Sequence, residues 1–389
     1  MEKILLIEPC NFSDFPIGGQ LSFAQNMIKA FGNRFALVGI TTDDTPVGRW
    51  IKKSFYGCEY DFFSIGKFNY YQGKPIVPLR LRAYLKLKVY KKEILSSNIK
   101  YVFTQAPEVL LAIENWGFKS ICFKLAGLNN PLLYSRYKWA KIFAKLFLKR
   151  FIHSLSKADV ILASGDKKSI NKFISESRGL LDSKNIYQFP TRVDTDLFRP
   201  GQKEDIKIEL KLASNEPILV TVGRINWVKG WDLILDSFAV FEKKFKNSTL
   251  IFVGDGEDRK NLEKKIEKYN LTGKVIITGF MKPIDVIAYL NAADLYLVGS
   301  YIEGWSLAML EALACGKPIV STDVSGAEEL VIEGKNGIIV RSRDPLAYAE
   351  ALEKALMLSE ATKYSLEIAE KYALKNLRKD LANLWKPFS

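Results

Sequence analysis

Residues 217–230 read PILVTVGRINWVKG. Ile218 to Val222 is a run of apolar and β-branched residues, glycines at 223 and 230 bound a short loop, and a stretch of helical periodicity follows. Strand, loop and helix in that order form the repeating unit of a parallel α/β sheet. The same grammar recurs at TLIFVGDG (249–256), KVIITGF (274–280) and ADLYLVGS (293–300), each a short apolar run succeeded by a helical stretch. It also governs the first half of the chain. There KILLIEP (3–9) leads to the pair Gly18-Gly19 and then to LSFAQNMIKAF (21–31), in which Leu21, Ala24, Met27, Ile28 and Phe31 recur at helical spacing. VFTQ (102–105), SICFKL (120–125) and DVILAS (159–164) read as further buried strands.

Between the two series, YQFPTRVDTDLFRPG (187–201) is bounded by prolines and lacks periodicity, so Pro190 to about Pro217 reads as an interdomain linker. The expected fold is α/β, with two doubly wound, Rossmann-like domains at residues 1–195 and 196–369. A last helix near Ala361–Trp385 would cross back, so that residues 370–389 complete the first domain. At 389 residues and 48% apolar content there is chain enough for two cores.

The opening MEKILLIEPC holds a four-residue apolar run before Glu8, too short for the core of a signal peptide, and no run of 18 apolar residues follows. Cys10, Cys58, Cys122 and Cys315 stand far apart without CxxC spacing, which fits reduced thiols and a cytoplasmic location. The net charge of +14 divides unevenly. Residues 1–200 hold 31 Lys and Arg against 16 Asp and Glu, and residues 201–389 hold 26 against 27. The two halves are built for different partners.

Candidate chemistry lies in the second half. Arg224 and Lys229 stand five residues apart in the loop after the first strand, an arginine fork and a lysine point charge suited to a diphosphate at an α/β crevice. This is not a Walker A loop, because no Ser or Thr follows a GK pair. Farther on, YIEGWSLAMLEALACGKP (301–318) places Glu303 and Glu311 eight residues apart. Ser306 can cap a helix over Leu307 to Cys315 that Gly316 ends, and Glu311 is its one charge on an otherwise apolar, hence buried, cylinder. Glu303 precedes a helix start whose outward amides, including those of Ser306 and Leu307, favour phosphate. The plain structural alternative is a solvated Glu303 and a Glu311 paired with a basic group.

GRxxxxKG, GDG, a TGF turn, SxxEG and LEALACGKPIVSTDVSG together resemble the retaining GT-B glycosyltransferases of family 4 (glycosyl transferases group 1). The likeness covers the second domain and extends to RVDTDLFRP and to Gly18-Gly19, while the rest of the first domain is loosely matched. It implies two Rossmann-like domains facing a central cleft, the first binding acceptor and the second a UDP- or GDP-sugar. By this likeness Glu303 and Glu311 are the glutamates of the EX7E motif, Glu303 addressing the donor sugar and Glu311 the ribose hydroxyls. Arg224 and Lys229 would hold the diphosphate, the amides of Gly18-Gly19, Ser306 and Leu307 would add donors, and Gly254 with Gly279-Phe280 would face the nucleobase. Catalysis would rest on Glu303, Arg224 and Lys229, with no metal and no cofactor, since protein cations can neutralise the leaving group. Family members commonly place a histidine after a strand of the first domain, and FKLAGLNNP (123–131) has none, leaving Lys124 and Asn129 there. His153, the sole histidine, reads as a helix-end residue, and Asp194-Thr195-Asp196 as a loop rather than a metal site.

From Asn115 to Ala158 there is no acidic residue. Lys138, Lys141, Lys145 and Lys149 repeat at helical spacing, opposite a stripe of Trp139, Ile142, Phe143, Leu146 and Phe147. PLRLRAYLKLKVYKK (78–92) is a second basic amphipathic stretch. Such a helix either lies on an anionic membrane surface or packs its stripe on the sheet. The resemblance favours the former, implying a peripheral enzyme at the inner face of the cytoplasmic membrane. It would transfer hexosyl or N-acetylhexosaminyl groups to a saccharide or polyprenyl-diphosphate-linked acceptor in bacterial surface polysaccharide assembly. Alternatives are a GT-B enzyme with a soluble acceptor, a nucleotide-sugar epimerase, or a non-enzymatic polyanion-binding protein. No nucleic-acid motif accompanies the charge, so nucleic acid is not an expected partner.

Overall fold

A computed structural model describes residues 2–388 apart from Ile17, 69–74, Tyr134, Arg136 and 213–216. It divides into two compact units, Met1–Pro190 with Lys375–Ser389, and Thr191–Leu374.

The first unit carries β1 (Ile4–Ile7), β2 (Phe35–Thr41), β3 (Trp50–Phe55), β4 (Cys58–Lys67), β5 (Tyr101–Thr104), β6 (Ser120–Leu125), β7 (Val160–Ala163) and β8 (Asn185–Gln188) in one sheet of order β3-β4-β2-β1-β5-β6-β7-β8. All pairs are parallel except β3 with β4. β1 and β2 are buried along their whole length, because helices cover both faces of a parallel sheet. The β3–β4 hairpin was not foreseen. Its two-residue loop, Tyr56-Gly57, takes positive φ at both positions, the turn whose twist suits a hairpin.

The chain end returns to this unit. Phe388 packs its ring 4.3 Å from that of Phe31, Arg34 donates to the Phe388 carbonyl at 2.8 Å, and the Trp385 indole donates to Ser120 at 2.9 Å. The expected single last helix is two, Ala361–Lys371 and Leu377–Leu384. They part where Val193 donates to Tyr372 O and accepts from Leu374 N, which ties residues 191–195 and 370–374 to the second unit.

The second unit carries β9 (Ile218–Val222), β10 (Thr249–Val253), β11 (Val275–Ile277), β12 (Leu295–Val298), β13 (Ile319–Thr322) and β14 (Gly337–Val340), all parallel, in the order β11-β10-β9-β12-β13-β14. The winding direction reverses between β9 and β12. The stretch read as a linker is not bare connection. It holds a helix, Lys203–Glu209, and is fastened by Asn291, which accepts from Gly201 N and donates to Arg199 O. Its residues 213–216 lie outside the described ones.

Residues 138–155 are a 3-10 segment, Lys138–Phe143, followed by an α-helix, Ala144–Leu155. The expected stripe divides along its length. Phe151, Ile152 and Leu155 are buried and Phe147 packs on the core, whereas Ile142 is 79% exposed, Leu146 67%, and Trp139 and Phe143 are also exposed. Among the described residues no helix is long and apolar enough to cross a membrane, and all four cysteines are unpaired.

Candidate functional site

Where strand order reverses, the loops after β9 and β12 lead to opposite faces and leave a crevice at the carboxyl ends. The β9 loop is pinned there. Asn226 Oδ1 accepts from Lys229 N at 3.1 Å, closing the short turn Trp227–Lys229, and Gly230 follows in the left-handed region with φ 63°. A Cβ on Gly230 would sit 1.8 Å from the Gly299 carbonyl oxygen, so only glycine lets the two loops touch backbone to backbone. Tyr301 N donates to Val228 O at 2.8 Å across the same contact.

That contact sets the charges. Lys229 Nζ stands 2.6 Å from Glu303 Oε1, which also accepts from Ser300 Oγ at 2.7 Å. Glu303 is therefore a largely buried, paired carboxylate and not a solvated loop residue. Arg224 is exposed, and its guanidinium meets no carboxylate among the described residues. Arg224, Lys229, Glu303 and Ser306 line one pocket with Gly223 and Tyr296.

The helix Leu307–Ala314 enters beneath. Ser306 Oγ accepts from Met309 N at 3.3 Å, and Gly316, with φ 74°, ends it. The expectation of a helix buried all round needs correction. Met309, Leu310 and Ala312 to Cys315 are buried, but Leu307, Ala308 and Glu311, on one face, are only half so. Glu311 has no hydrogen-bond or ion-pair partner among the described residues, so the basic group that would neutralise it structurally is not there. Burial alone pushes its carboxyl up to about 8. The hydroxyl of Tyr296 is raised well above its ordinary value, by burial first, then by the charges of Glu311 and of Glu303. Both glutamates thus act on one phenol, which also lines the pocket. Sequence reading passed over Tyr296 and Ser300; the signal was a pair of hydroxyls in ADLYLVGS, an otherwise apolar strand end.

Gly254 and Gly279 pair with each other in an isolated bridge after β10 and β11, and Gly254 abuts the Gly223 carbonyl, which puts this flank beside Arg224. Phe280 is exposed on it. Gly18 and Gly19 belong to the first unit, at the start of the helix Gly19–Phe31. That helix start is fastened from β5, since Gln105 donates to Gln20 O at 2.7 Å while its own amide donates to Glu8 Oε1 at 2.6 Å. Lys124 is buried under the Phe23 ring at 4.3 Å, inside β6 rather than beyond its end, and Asn129 is exposed. His153 is exposed near a helix end. Asp194 accepts from Leu197 N, capping a turn. Among the described residues no three His, Cys, Asp or Glu side chains cluster closely enough to hold a metal ion.

A family profile described as glycosyl transferases group 1 matches residues 202–372, nearly the whole second unit. Through that unit the chain is similar to this family. Among curated relatives, D-inositol 3-phosphate glycosyltransferase 2 of Catenulispora acidiphila is 32% identical over 169 residues, 41% of this chain and 40% of the relative. An uncharacterized glycosyltransferase of Methanocaldococcus jannaschii is 30% identical over 62% of this chain and 58% of its own length. The chain thus spans 40% to 58% of these relatives. Among solved structures, sucrose-phosphate synthase from Thermosynechococcus elongatus superposes with a TM-score of 0.78 at 20% identity, covering 99% of this chain and 98% of that one. Anabaena HepE in complex with UDP-glucose gives 0.74 at 17% identity, covering 98% and 99%. The two parallel α/β units are those of the GT-B fold.

The state of Glu311 makes a pH prediction. Its carboxyl ionises near its ordinary value of 4.5 when unfolded but near 8 when folded, so the native state binds the extra proton and this residue lowers stability progressively as pH rises from about 4.5 to 8. Glu311→Gln is expected to melt with wild type near pH 4 and increasingly above it toward pH 8, in thermal unfolding scans across that range. A difference independent of pH would contradict the assignment.

Proposed function

We propose that the crevice at the ends of β9 and β12 binds a UDP- or GDP-sugar, and that the protein is a glycosyltransferase that moves the sugar, with retention, to a glycan or lipid-linked saccharide of a bacterial surface polysaccharide. The observation that carries this reading is the convergence of an available Arg224 and the Lys229–Glu303 pair on one pocket, with Glu311, which has no partner among the described residues, acting on the Tyr296 hydroxyl of its lining. A diphosphate entering there meets Arg224 and Lys229, which neutralise the charge that grows on it as the glycosidic bond breaks. These cations take the part a divalent metal plays elsewhere, so the reading needs no metal.

Binding and positioning are linked through one lysine. When Lys229 turns to a phosphate, Glu303 loses its partner and is left to accept hydroxyls of the transferred sugar, still oriented by Ser300. Glu311, desolvated and unpartnered, accepts the ribose hydroxyls, recovering the hydrogen bonds it lacks. The amides of Ser306 and Leu307 add donors at the helix start.

The first unit supports a membrane-bound acceptor. Trp139, Ile142, Phe143 and Leu146 stand exposed among Lys138, Lys141, Lys145 and Lys149, and Tyr137 donates to Pro75 O at 2.6 Å, drawing exposed Ile76 and Val77 to the same patch. Apolar side chains ringed by lysines suit the interface of an anionic leaflet, each cation adding about 1 kcal/mol near the surface.

Lys229→Ala and Glu303→Ala are each expected to cut release of nucleotide from the donor by about a hundred-fold or more, with circular dichroism unchanged. Full activity in both would sink the site. Wild type is expected to sediment with phosphatidylglycerol vesicles at low salt and not with phosphatidylcholine, and an Ile142→Ser, Leu146→Ser variant is expected to stay in solution. Equal sedimentation with both lipids would count against the membrane reading.

A further inference from the structure

Beside the pocket, but not among the residues that line it, two aromatic side chains stand out to solvent. Trp227 is 53% exposed and Tyr301 43%, their ring centroids 5.7 Å apart at an interplanar angle of 55°. Large apolar side chains that stand together at a surface can mark a ligand site. They are also held still. Trp227 begins the turn closed by Asn226, its carbonyl accepts from Gly230 N at 3.0 Å, and the neighbouring Val228 carbonyl accepts from Tyr301 N. The Arg343 guanidinium lies 3.3 Å over the Tyr301 ring while donating to Gly299 O at 3.0 Å, so it backs the tyrosine and fixes the loop together. Asp232 stands 3.5 Å behind the tyrosine hydroxyl, with its other carboxylate oxygen buried and unpartnered.

We propose that Trp227 and Tyr301 form an aromatic acceptor subsite, which stacks against one face of a pyranose ring beside the transferred sugar. This rests on the donor-site reading given above. A pyranose turns several C–H bonds to one face, and their slightly positive hydrogens match the negative face of an aromatic ring, while its equatorial hydroxyls reach outward to polar groups at the rim. Here Arg343 and Asp232 hold Tyr301 in place from behind. Because the loop is pinned before any ligand arrives, little ordering cost falls on binding. The position selects the acceptor over the donor. Glu303, which addresses the donor sugar, is buried in the crevice, whereas Trp227 and Tyr301, two residues from Lys229 and from Glu303 respectively, lie outside on its lip.

The test is saturation-transfer NMR on the full chain with a set of methyl α- and β-hexopyranosides, in the presence of UDP or GDP. Wild type is expected to saturate the ring C–H protons of one face of at least one pyranoside. Trp227→Phe should keep the pattern and Trp227→Ala should weaken it about five- to ten-fold, with nucleotide affinity kept in both. Unchanged pyranoside binding in Trp227→Ala, or no pyranoside signal on wild type that binds nucleotide, overturns the proposal. Loss of nucleotide affinity along with pyranoside binding in Trp227→Ala overturns it too, since the tryptophan would then serve the donor. Failure of wild type to bind either nucleotide would instead strike the donor-site reading beneath it.

Discussion

Gly230 and Gly299 allow the loops after β9 and β12 to lie backbone against backbone, and the site depends on that approach. A Cβ on Gly230 would strike the Gly299 carbonyl, and one on Gly299 would come within 2.6 Å of the Gly230 carbonyl and 2.8 Å of Ile234. Neither loop can be moved out without lifting Lys229 from Glu303 or Tyr301 from Val228. The reversal of strand order makes the crevice, and the two glycines set its width. A ligand at this point meets side chains from two loops that the sheet itself holds in register.

The charges contribute little to stability, as the proposed donor site would require. An ion pair with a partly exposed lysine, such as Lys229 with Glu303, contributes at most about 1 kcal/mol to folding. Glu311 acts in the opposite sense, since desolvation of a carboxyl with no partner among the described residues disfavours its charged form. Local disadvantage of this kind concentrates where binding or catalysis needs it. Arg224, exposed and without a carboxylate among the described residues, completes the proposed site.

Much of this was legible because parallel sheets write themselves as short apolar runs with loops between, and because chemistry gathers at strand ends. Arg224, Lys229, Glu303 and Glu311 stand out as charges where the pattern calls for none. What escaped was set through space. Tyr296 reads as one more core residue until its hydroxyl is found within the field of two carboxylates, and Arg343 shows no sign in its own neighbourhood that it backs Tyr301. The break between the last two helices depends on Val193, far away in sequence, pairing at Ala373. In residues 138–155 a single amphipathic pattern serves two fates, its later turns packed on the sheet and its earlier ones exposed, and periodicity cannot separate them.

The measurement that bears most directly on the donor site is thermal unfolding of wild type and Glu311→Ala with UDP, GDP, ADP and CDP. A ligand at a hundred times its dissociation constant stabilises the native state by about 2.7 kcal/mol, a shift of a few degrees for a chain of this size. The account predicts that UDP or GDP raises the melting temperature selectively and that Glu311→Ala abolishes the shift. No shift with any of the four, or an equal shift in the variant, would contradict it.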